Sequence, residues 1–172
     1  MIIKRDYYLN QLIASQYNGP IKIVTGLRRS GKSYLLFHLF GDYLKEQGIP
    51  DDHIIKVDLE DRRNAPLRDP DALLVHIDSK MVDDKMYYIL RDEVQHVPEF
   101  EDVLNSYLKI ENADVYVTGS NSKFLSTDII TEAGVTRFMC THSLLLNLCL
   151  LTIGTLSKHG VTIIHTAVFL IY

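Results

Sequence analysis

The sequence predicts an α/β fold, a three-layer domain built on a parallel β-sheet. Four apolar, β-rich runs predict strands at residues 21–25, 53–59, 86–90 and 114–118. Four segments of helical periodicity alternate with them, at residues 6–16, 32–47, 69–80 and 99–109. Because strands that alternate with helices pair in parallel through right-handed crossovers, we expect the helices to cover both faces of one sheet.

Each predicted element has a boundary signal. The first helix ends at Asn18-Gly19-Pro20, and its apolar side chains are expected to face inward: Tyr7, Leu9, Leu12 and Ile13. The first strand is apolar on both faces, which is typical of a central strand in a parallel sheet. Gly48 and Pro50 end the second helix, and Asp69 begins the third as a cap.

The turn between the first strand and the second helix, residues 26–33, has the G-x-x-x-x-G-K-S pattern of a phosphate-binding P-loop. Its glycines allow backbone turns that aim N–H groups at phosphate oxygens, and the helix N-terminus adds its positive dipole end. The lysine can reach the β- and γ-phosphates of ATP, and the serine can ligate Mg²⁺. A plain glycine turn is the alternative, but the strand-loop-helix context favours a nucleotide site. The predicted nucleotide-binding residues are Gly26, Leu27, Arg28, Arg29, Ser30, Gly31, Lys32, Ser33 and Tyr34.

An acidic pair, Asp92 and Glu93, follows the third predicted strand, in the position of the second nucleotidase signature, Walker B. We expect Asp92 to hold Mg²⁺ together with Ser33, and Glu93 to polarise the attacking water. An ordinary solvated acidic turn is the alternative, and the upstream P-loop disfavours it.

A polar segment follows the fourth predicted strand. Asn121 is the candidate there for a catalytic contact to the γ-phosphate or to the attacking water. A helix cap by Ser120 or Ser122 explains the same segment equally well, so both interpretations stay open.

The composition is that of a single-domain protein without a nucleic-acid signature. The chain has 172 residues and a formal net charge of −4, so bulk electrostatics give no support for nucleic-acid binding. Its first six residues contain no apolar signal segment, and its two cysteines, Cys140 and Cys149, have no metal-ligand spacing. These features predict a cytoplasmic protein.

The composition changes abruptly after Glu132. All 22 acidic residues precede Ala133, and residues 133–172 carry only Arg137 and Lys158 as fixed charges. We therefore predict an ATP-binding domain over residues 1–132 and an anomalous apolar tail over residues 133–172.

Three sequence blocks in residues 1–132 resemble one family. GLRRSGKSYLL, YYILRDEVQHVPEFEDVLNSYLK and DVYVTGSNSKFLSTDIITE occur in the same order in the archaeal and bacterial AAA-type ATPase family AAA_14, whose members are commonly followed by a DUF4143 domain. The resemblance implies an additional-strand P-loop ATPase with sheet order 5-1-4-3-2 and with ATP and Mg²⁺ as cofactors. It assigns Walker A to Gly26, Gly31, Lys32 and Ser33, Walker B to Asp92 and Glu93, and a sensor region to the end of residues 114–121.

The chain departs from this family at two places. Family members usually carry an apolar residue where this chain has Arg91, and a lone guanidinium on a doubly buried strand is costly. After Glu132 the family's arginine- and glycine-rich turn and its fifth strand are not recognisable, so we expect that strand to be lost. The first strand would then be an edge with unpaired backbone groups, and ATP hydrolysis would be impaired.

Three interpretations of the tail stay open. A membrane anchor is disfavoured, because the apolar run at residues 144–156 is shorter than the roughly 20 residues that a spanning helix needs. A genuine apolar subdomain or dimer surface is the second interpretation. We prefer the third, translation out of frame, because allowed codons for residues 133–170 read in another frame as a family-like continuation with acidic residues. Such a tail is expected to lack a well-packed position, or to lie as helix or strand against the exposed sheet edge.

The sequence therefore favours an ATP-binding, Mg²⁺-dependent ATPase domain with impaired hydrolysis. A non-catalytic, nucleotide-switched interaction module is the alternative. A P-loop kinase is disfavoured, because an arginine-rich lid is not recognisable. We expect ATP as the ligand, an unidentified protein partner and no membrane association, and we leave a homo-oligomer open.

Overall fold

The computed structural model describes residues 6–26, 29–120, 135–140, 155–156 and 161–162, with the backbone alone for residue 120 and the three later segments. Its main strands are β1 Ile21–Gly26, β2 Ile54–Asp58, β3 Tyr87–Asp92, β4 Ala113–Ser120 and β5 Val135–Cys140. They pair in parallel in the order β2-β3-β4-β1-β5, so the expected order 5-1-4-3-2 is confirmed. Two short strands, β6 Thr155–Leu156 and β7 Val161–Thr162, continue the sheet beyond β5.

The expectation that the fifth strand is lost is wrong for the backbone of this chain. β5 pairs in parallel with β1, from Val135 opposite Ile21 to Cys140 opposite Gly26. β1 is therefore a central strand between β4 and β5 and not an edge. The hydrogen bonds between paired strands join backbone groups. A segment such as β5, which contains valine, threonine and phenylalanine, can therefore pair with β1 although it lacks the acidic residues found elsewhere in the chain. One of the two expectations for the tail, a strand against this side of the sheet, agrees with the pairing of β5.

The helices lie where the sequence predicts them, with shorter bounds. They are α1 Asp6–Ala14, α2 Lys32–Tyr34, α3 Gly41–Glu46, α4 Pro70–Asp78 and α5 Phe100–Tyr107. A π-helical segment, Leu35–Phe40, joins α2 to α3, and we call this continuous rod the P-loop helix. Three 3₁₀ segments are absent from the sequence prediction: Asp51–His53, Arg62–Arg68 and Val94–His96.

Two helical layers cover the sheet, as predicted for a three-layer fold. α1 and the P-loop helix cover one face, where Phe40 belongs to the same buried cluster as Tyr116. On the other face, α4 and α5 bury Leu73, Ile77, Val103, Leu104 and Tyr107. The inward face of α1 differs from the prediction, because Tyr8 and Leu12 are buried whereas Tyr7 is 51 % exposed. Positions four apart share a helix face, so burying this pair turns Tyr7 outward.

A buried polar cluster joins the amino ends of β1 and β4. Lys22 and Asp114 form an ion pair in which both side chains are buried. Asp114 also accepts hydrogen bonds from the Tyr116 hydroxyl at 3.0 Å and from the Tyr17 backbone N–H at 3.2 Å. Burial lowers the pKa of Lys22, and the hydrogen bond to Asp114 opposes that shift. The cluster ties the turn after α1 to the sheet.

A second polar cluster joins the turn before β2 to the turn before β3. The buried His53 ring has Nδ1 3.0 Å from Asp52 Oδ1 and Nε2 3.2 Å from Asp83 Oδ1. Because both ring nitrogens face carboxylate oxygens, the imidazolium form, with a proton on each nitrogen, satisfies both contacts. The pKa of His53 is raised, chiefly by the hydrogen bond to Asp52, with burial opposing the shift.

Arg91 lies inside β3, which extends two residues beyond its predicted end. Its side chain is fully buried, and its register neighbours are Val57 on β2 and Val117 on β4. Within the described part of the chain, its three guanidinium nitrogens have no hydrogen-bond partner. Arg91 Cζ lies 5.4 Å from the ring centroid of Tyr107. Burial lowers the pKa of Arg91, and the interaction with Tyr107 opposes that shift only in part, in keeping with the cost expected for a guanidinium on a doubly buried strand.

Candidate functional site

The loop between β1 and α2 has backbone turns that suit a P-loop. Gly31 has φ 80° and ψ 30°, a left-handed conformation that glycine adopts without strain because it has no Cβ. The helix begins directly afterwards at Lys32, and both Lys32 and Ser30 are buried. Arg29 is also left-handed, with φ 62°, and its side chain is exposed. The loop therefore turns sharply just before the helix N-terminus.

A hydrogen bond joins the P-loop helix to the end of β3. Ser33 Oγ donates to Asp92 Oδ2 at 2.6 Å. Thr118, on the neighbouring strand β4, donates from Oγ1 to Asp92 Oδ1. The three side chains meet because the carboxyl ends of parallel strands lie at one edge of the sheet, where the P-loop helix also begins. The structure thus brings together the two residues predicted as magnesium ligands.

Glu93 follows β3 with a left-handed backbone, φ 51° and ψ 52°. Its backbone N–H donates to Thr118 Oγ1 at 3.0 Å. Its carboxylate lies between two side chains: Oε1 is 3.4 Å from Lys32 Nζ, and Oε2 accepts a hydrogen bond from Gln95 Nε2. Glu93 therefore lies beside the loop lysine, next to Asp92.

Three carboxylates, Asp58, Asp92 and Glu93, lie close together in a partly buried environment. Burial raises the pKa of Asp92, and the charges of Glu93 and Asp58 act in the same direction. The hydrogen bonds from Ser33 and Thr118 oppose that rise. Asp58 is close because it is the register partner of Asp92 on β2. A bound cation would favour the ionised form of these carboxylates, so the arrangement suits a positive charge.

A cavity of about 280 Å³ opens at this edge of the sheet, lined by Arg29, Gly31, Lys32, Ser33, Glu60 and Glu93. The predicted Tyr34 does not line it: Tyr34 is 52 % exposed, and its ring stacks on His38 with centroids 5.0 Å apart. A larger cavity of about 420 Å³ lies along β2 and contains none of the predicted site residues. The smaller cavity is therefore the candidate site.

The remaining predicted residues lie at or beyond the strand ends. Gly26 ends β1 and pairs with Ser120 at the end of β4. Leu27, Arg28 and Asn121 lie outside the described residues. Their roles stay predictions.

Three residues of this site escaped the sequence prediction. Thr118 carries a signal, because it is a polar residue at the end of a predicted strand that neighbours the acidic pair. Glu60 and Gln95 carry none that we can identify, since their positions depend on turns whose shape the spacing of residues does not specify. Gln95 lies in the unpredicted 3₁₀ segment.

The sequence matches the model of a known protein family. Residues 18–143 match the model of AAA_14, an AAA domain. The chain belongs to this family. The match continues past residue 132 and includes β5, whereas the resemblance drawn from the sequence blocks ends at Glu132. The AAA domain is thus a nucleotide-binding domain of the AAA-type ATPase class.

The AAA domain spans only part of the curated relatives that it matches. An uncharacterized protein of Haemophilus influenzae is 35 % identical over 132 residues, which cover 76 % of this chain and 32 % of that protein. An uncharacterized protein of Methanocaldococcus jannaschii is 31 % identical over 133 residues, which cover 76 % of this chain and 27 % of that protein. The chain therefore covers about a third or less of each.

A solved structure shares the fold of the AAA domain. The crystal structure of Saccharomyces cerevisiae RIF2 matches with a TM-score of 0.51 and 15 % identity, covering 85 % of this chain and 58 % of that one. At this identity the likeness shows the fold alone. Within the described residues, we find no helix with the length and hydropathy needed to cross a bilayer.

Proposed function

We propose that this AAA domain binds ATP with Mg²⁺ at residues 26–33 and hydrolyses it to ADP and phosphate. The observation that carries the proposal is the 2.6 Å hydrogen bond from Ser33 Oγ to Asp92 Oδ2. It joins the P-loop helix to the acidic end of β3, where Lys32 Nζ and Glu93 Oε1 are 3.4 Å apart. A plain glycine turn, the alternative interpretation, would not require these four side chains to lie together.

In this proposal each side chain has one task. Lys32 and the backbone N–H groups of the loop neutralise the β- and γ-phosphates. Glu93 accepts a proton from water while the water oxygen bonds to the γ-phosphorus and the bond from that phosphorus to the bridging oxygen breaks. The displaced oxygen leaves as the terminal β-phosphate oxygen of ADP. Asn121 is retained as the candidate contact to the γ-phosphate.

The residues present fit a magnesium ion. The Ser33 hydroxyl and the Asp92 carboxylate are hard oxygen donors, the type that Mg²⁺ prefers, and they already lie within one hydrogen bond of each other. Ser33 would ligate the ion directly and Asp92 through water. When bound, Mg²⁺ supplies positive charge to the triphosphate.

Calorimetric titration with Mg-ATP tests the binding half of the proposal. Lys32→Ala is expected to abolish binding, because the variant lacks the cation that meets the β- and γ-phosphates. Lys45→Ala is the matched control, since Lys45 lies on α3 in a surface ion pair with Asp51 and should leave affinity unchanged. Wild-type affinity in a folded Lys32→Ala variant would refute the site.

Phosphate release in single-turnover mixtures tests the hydrolytic half. Glu93→Gln is expected to bind ATP without releasing phosphate, because an amide cannot accept the proton. Asp92→Asn is expected to remove the dependence of binding on Mg²⁺. ATP binding by a wild-type chain that releases no phosphate would favour the nucleotide-switched interaction module, and transfer to a small acceptor would favour a kinase.

We also propose that turnover in this chain is slow. One reason for that expectation, an absent fifth strand, no longer applies because β5 pairs with β1. The other reason stands, because the family's arginine-rich turn is not recognisable after Glu132. Phosphate release as fast as that of the H. influenzae relative under the same conditions would overturn it. A protein partner, a homo-oligomer and a cytoplasmic location stay predictions.

A further inference from the structure

We infer that Gln95 is the positioning residue that aims the Glu93 carboxylate at the attacking water, while Lys32 occupies the other oxygen of that carboxylate until nucleotide binds. The inference rests on the proposed ATPase function and assigns a regulatory arrangement to the same site. It is carried by the contacts that hold Glu93 at three points.

The turn that carries Gln95 is anchored on both sides. Val94 and Val97 flank it, and both are buried in the core between the sheet and α5. The segment Val94–His96 is a 3₁₀ turn, so Gln95 follows Glu93 by less than one full turn of chain. A side chain on so short and well-anchored a turn has few positions to occupy, which suits it to holding a neighbour in place.

Glu93 itself is fixed through its backbone and its carboxylate. The backbone N–H is held by Thr118 Oγ1 at 3.0 Å, which supports the left-handed φ of 51°. Gln95 Nε2 donates to carboxylate Oε2. A glutamate has three side-chain torsions, and this second bond removes much of their freedom. The other oxygen, Oε1, is the one directed at Lys32 of the P-loop.

The other end of the Gln95 amide argues against a purely structural role. Gln95 Oε1 is buried and has no hydrogen-bond partner among the residues that the structure describes. Burying an unpaired acceptor is unfavourable, so packing alone would select an apolar side chain there. Among the described residues, the hydrogen bond to Glu93 is the one that the Gln95 side-chain amide makes.

Lys32 completes the arrangement. Its Nζ lies 3.4 Å from Glu93 Oε1, so the loop lysine contacts the proposed base. The β- and γ-phosphates carry more negative charge than one carboxylate and draw the lysine away when ATP binds. Oε1 then becomes available to water, while Gln95 keeps Oε2 in place. In this arrangement, the displacement of Lys32 by ATP frees the base for water.

The test compares Gln95→Ala and the nearly isosteric Gln95→Glu with wild type in single-turnover phosphate release. Both variants are expected to bind Mg-ATP within about twofold of wild type and to release phosphate at least about tenfold more slowly, since misplacing a general base forfeits part of its 10²- to 10⁴-fold contribution. Gln47→Ala, at an exposed position after α3, is the control and should match wild type.

A comparison of KM with kcat separates positioning from general damage. Gln95 contacts Glu93 but does not line the cavity, so both variants should lower kcat while leaving KM for Mg-ATP within about twofold of wild type. A variant with unchanged kcat overturns the inference, while wild-type turnover leaves the proposed function intact. A wild-type chain without turnover overturns both.

Discussion

Replacing Arg91 with leucine should stabilise the domain strongly. Three buried guanidinium nitrogens without acceptors in the described chain each forfeit hydration, at about 1–3 kcal/mol per unsatisfied group. The contact with the Tyr107 ring returns only about 0.5–2 kcal/mol. A leucine placed between Val57 and Val117 adds apolar burial in place of this deficit. We therefore expect Arg91→Leu to gain at least about 3 kcal/mol.

Thermal and urea unfolding at neutral pH measure this gain. A domain of this size shifts its melting temperature by about 2–4 °C per kcal/mol, so Arg91→Leu should melt about 6–12 °C higher. Arg62→Leu is the control, because Arg62 is exposed and reports the general effect of losing an arginine. Arg91→Lys should give little of the gain, since a buried ammonium is also unpaired. A leucine variant no more stable than wild type would mean that the guanidinium has an acceptor, and the reasoning would fail.

Three other changes follow from described features. His53→Gln should destabilise the domain most between about pH 4 and pH 6.5. Because the pKa of His53 is raised on folding, its contribution to stability is complete below 6.5 and is lost as pH rises through the folded pKa, and because the pKa of Asp83 is lowered, the contribution also falls below 3.8. Equal losses of stability at about pH 5 and pH 9 in urea unfolding would contradict this. Asp114→Ala should cost about 3–5 kcal/mol by the same assay and more than Lys22→Met, because it strands a buried ammonium and two other donors; the reverse order would refute the account. Restoring the other reading frame for residues 133–172 should raise the soluble yield of the expressed chain, and a lower yield would count against the out-of-frame interpretation.

The sheet could be predicted because its signals are local and repeated. Alternating apolar runs gave the first four strands, and their spacing indicated parallel pairing. β5 was missed because the composition changes after Glu132 and the three family blocks end there, although the family match itself reaches residue 143. Backbone pairing with β1 makes little demand on side chains. The π-helical segment was missed for another reason. Its hydrogen-bond register depends on packing, including the bond from Lys56 Nζ on β2 to the Phe37 carbonyl.

The site could be predicted where residue spacing fixes position. The P-loop pattern predicted Ser33, and the acidic pair at the end of the third strand predicted Asp92. In the fold the two side chains form a hydrogen bond. Gln95 could not be found this way, because its contact with Glu93 depends on the left-handed turn between β3 and the 3₁₀ segment. Such a turn at a non-glycine residue has no reliable signature in a single sequence.

The side chains of β3 alternate between the two faces of the sheet, so the pairing register of this strand decides which residue reaches the P-loop. Neighbouring side chains on a strand point to opposite faces, so Arg91 and Asp92 belong to different layers although they are adjacent in the chain. A shift of β3 by one position between β2 and β4 would exchange the two faces, so Asp92 would point away from Ser33 and Thr118. A misaligned molecule would thus lack one of the two proposed magnesium ligands at the P-loop. Binding of Mg-ATP would therefore report that β3 has paired with β2 and β4 in its native alignment.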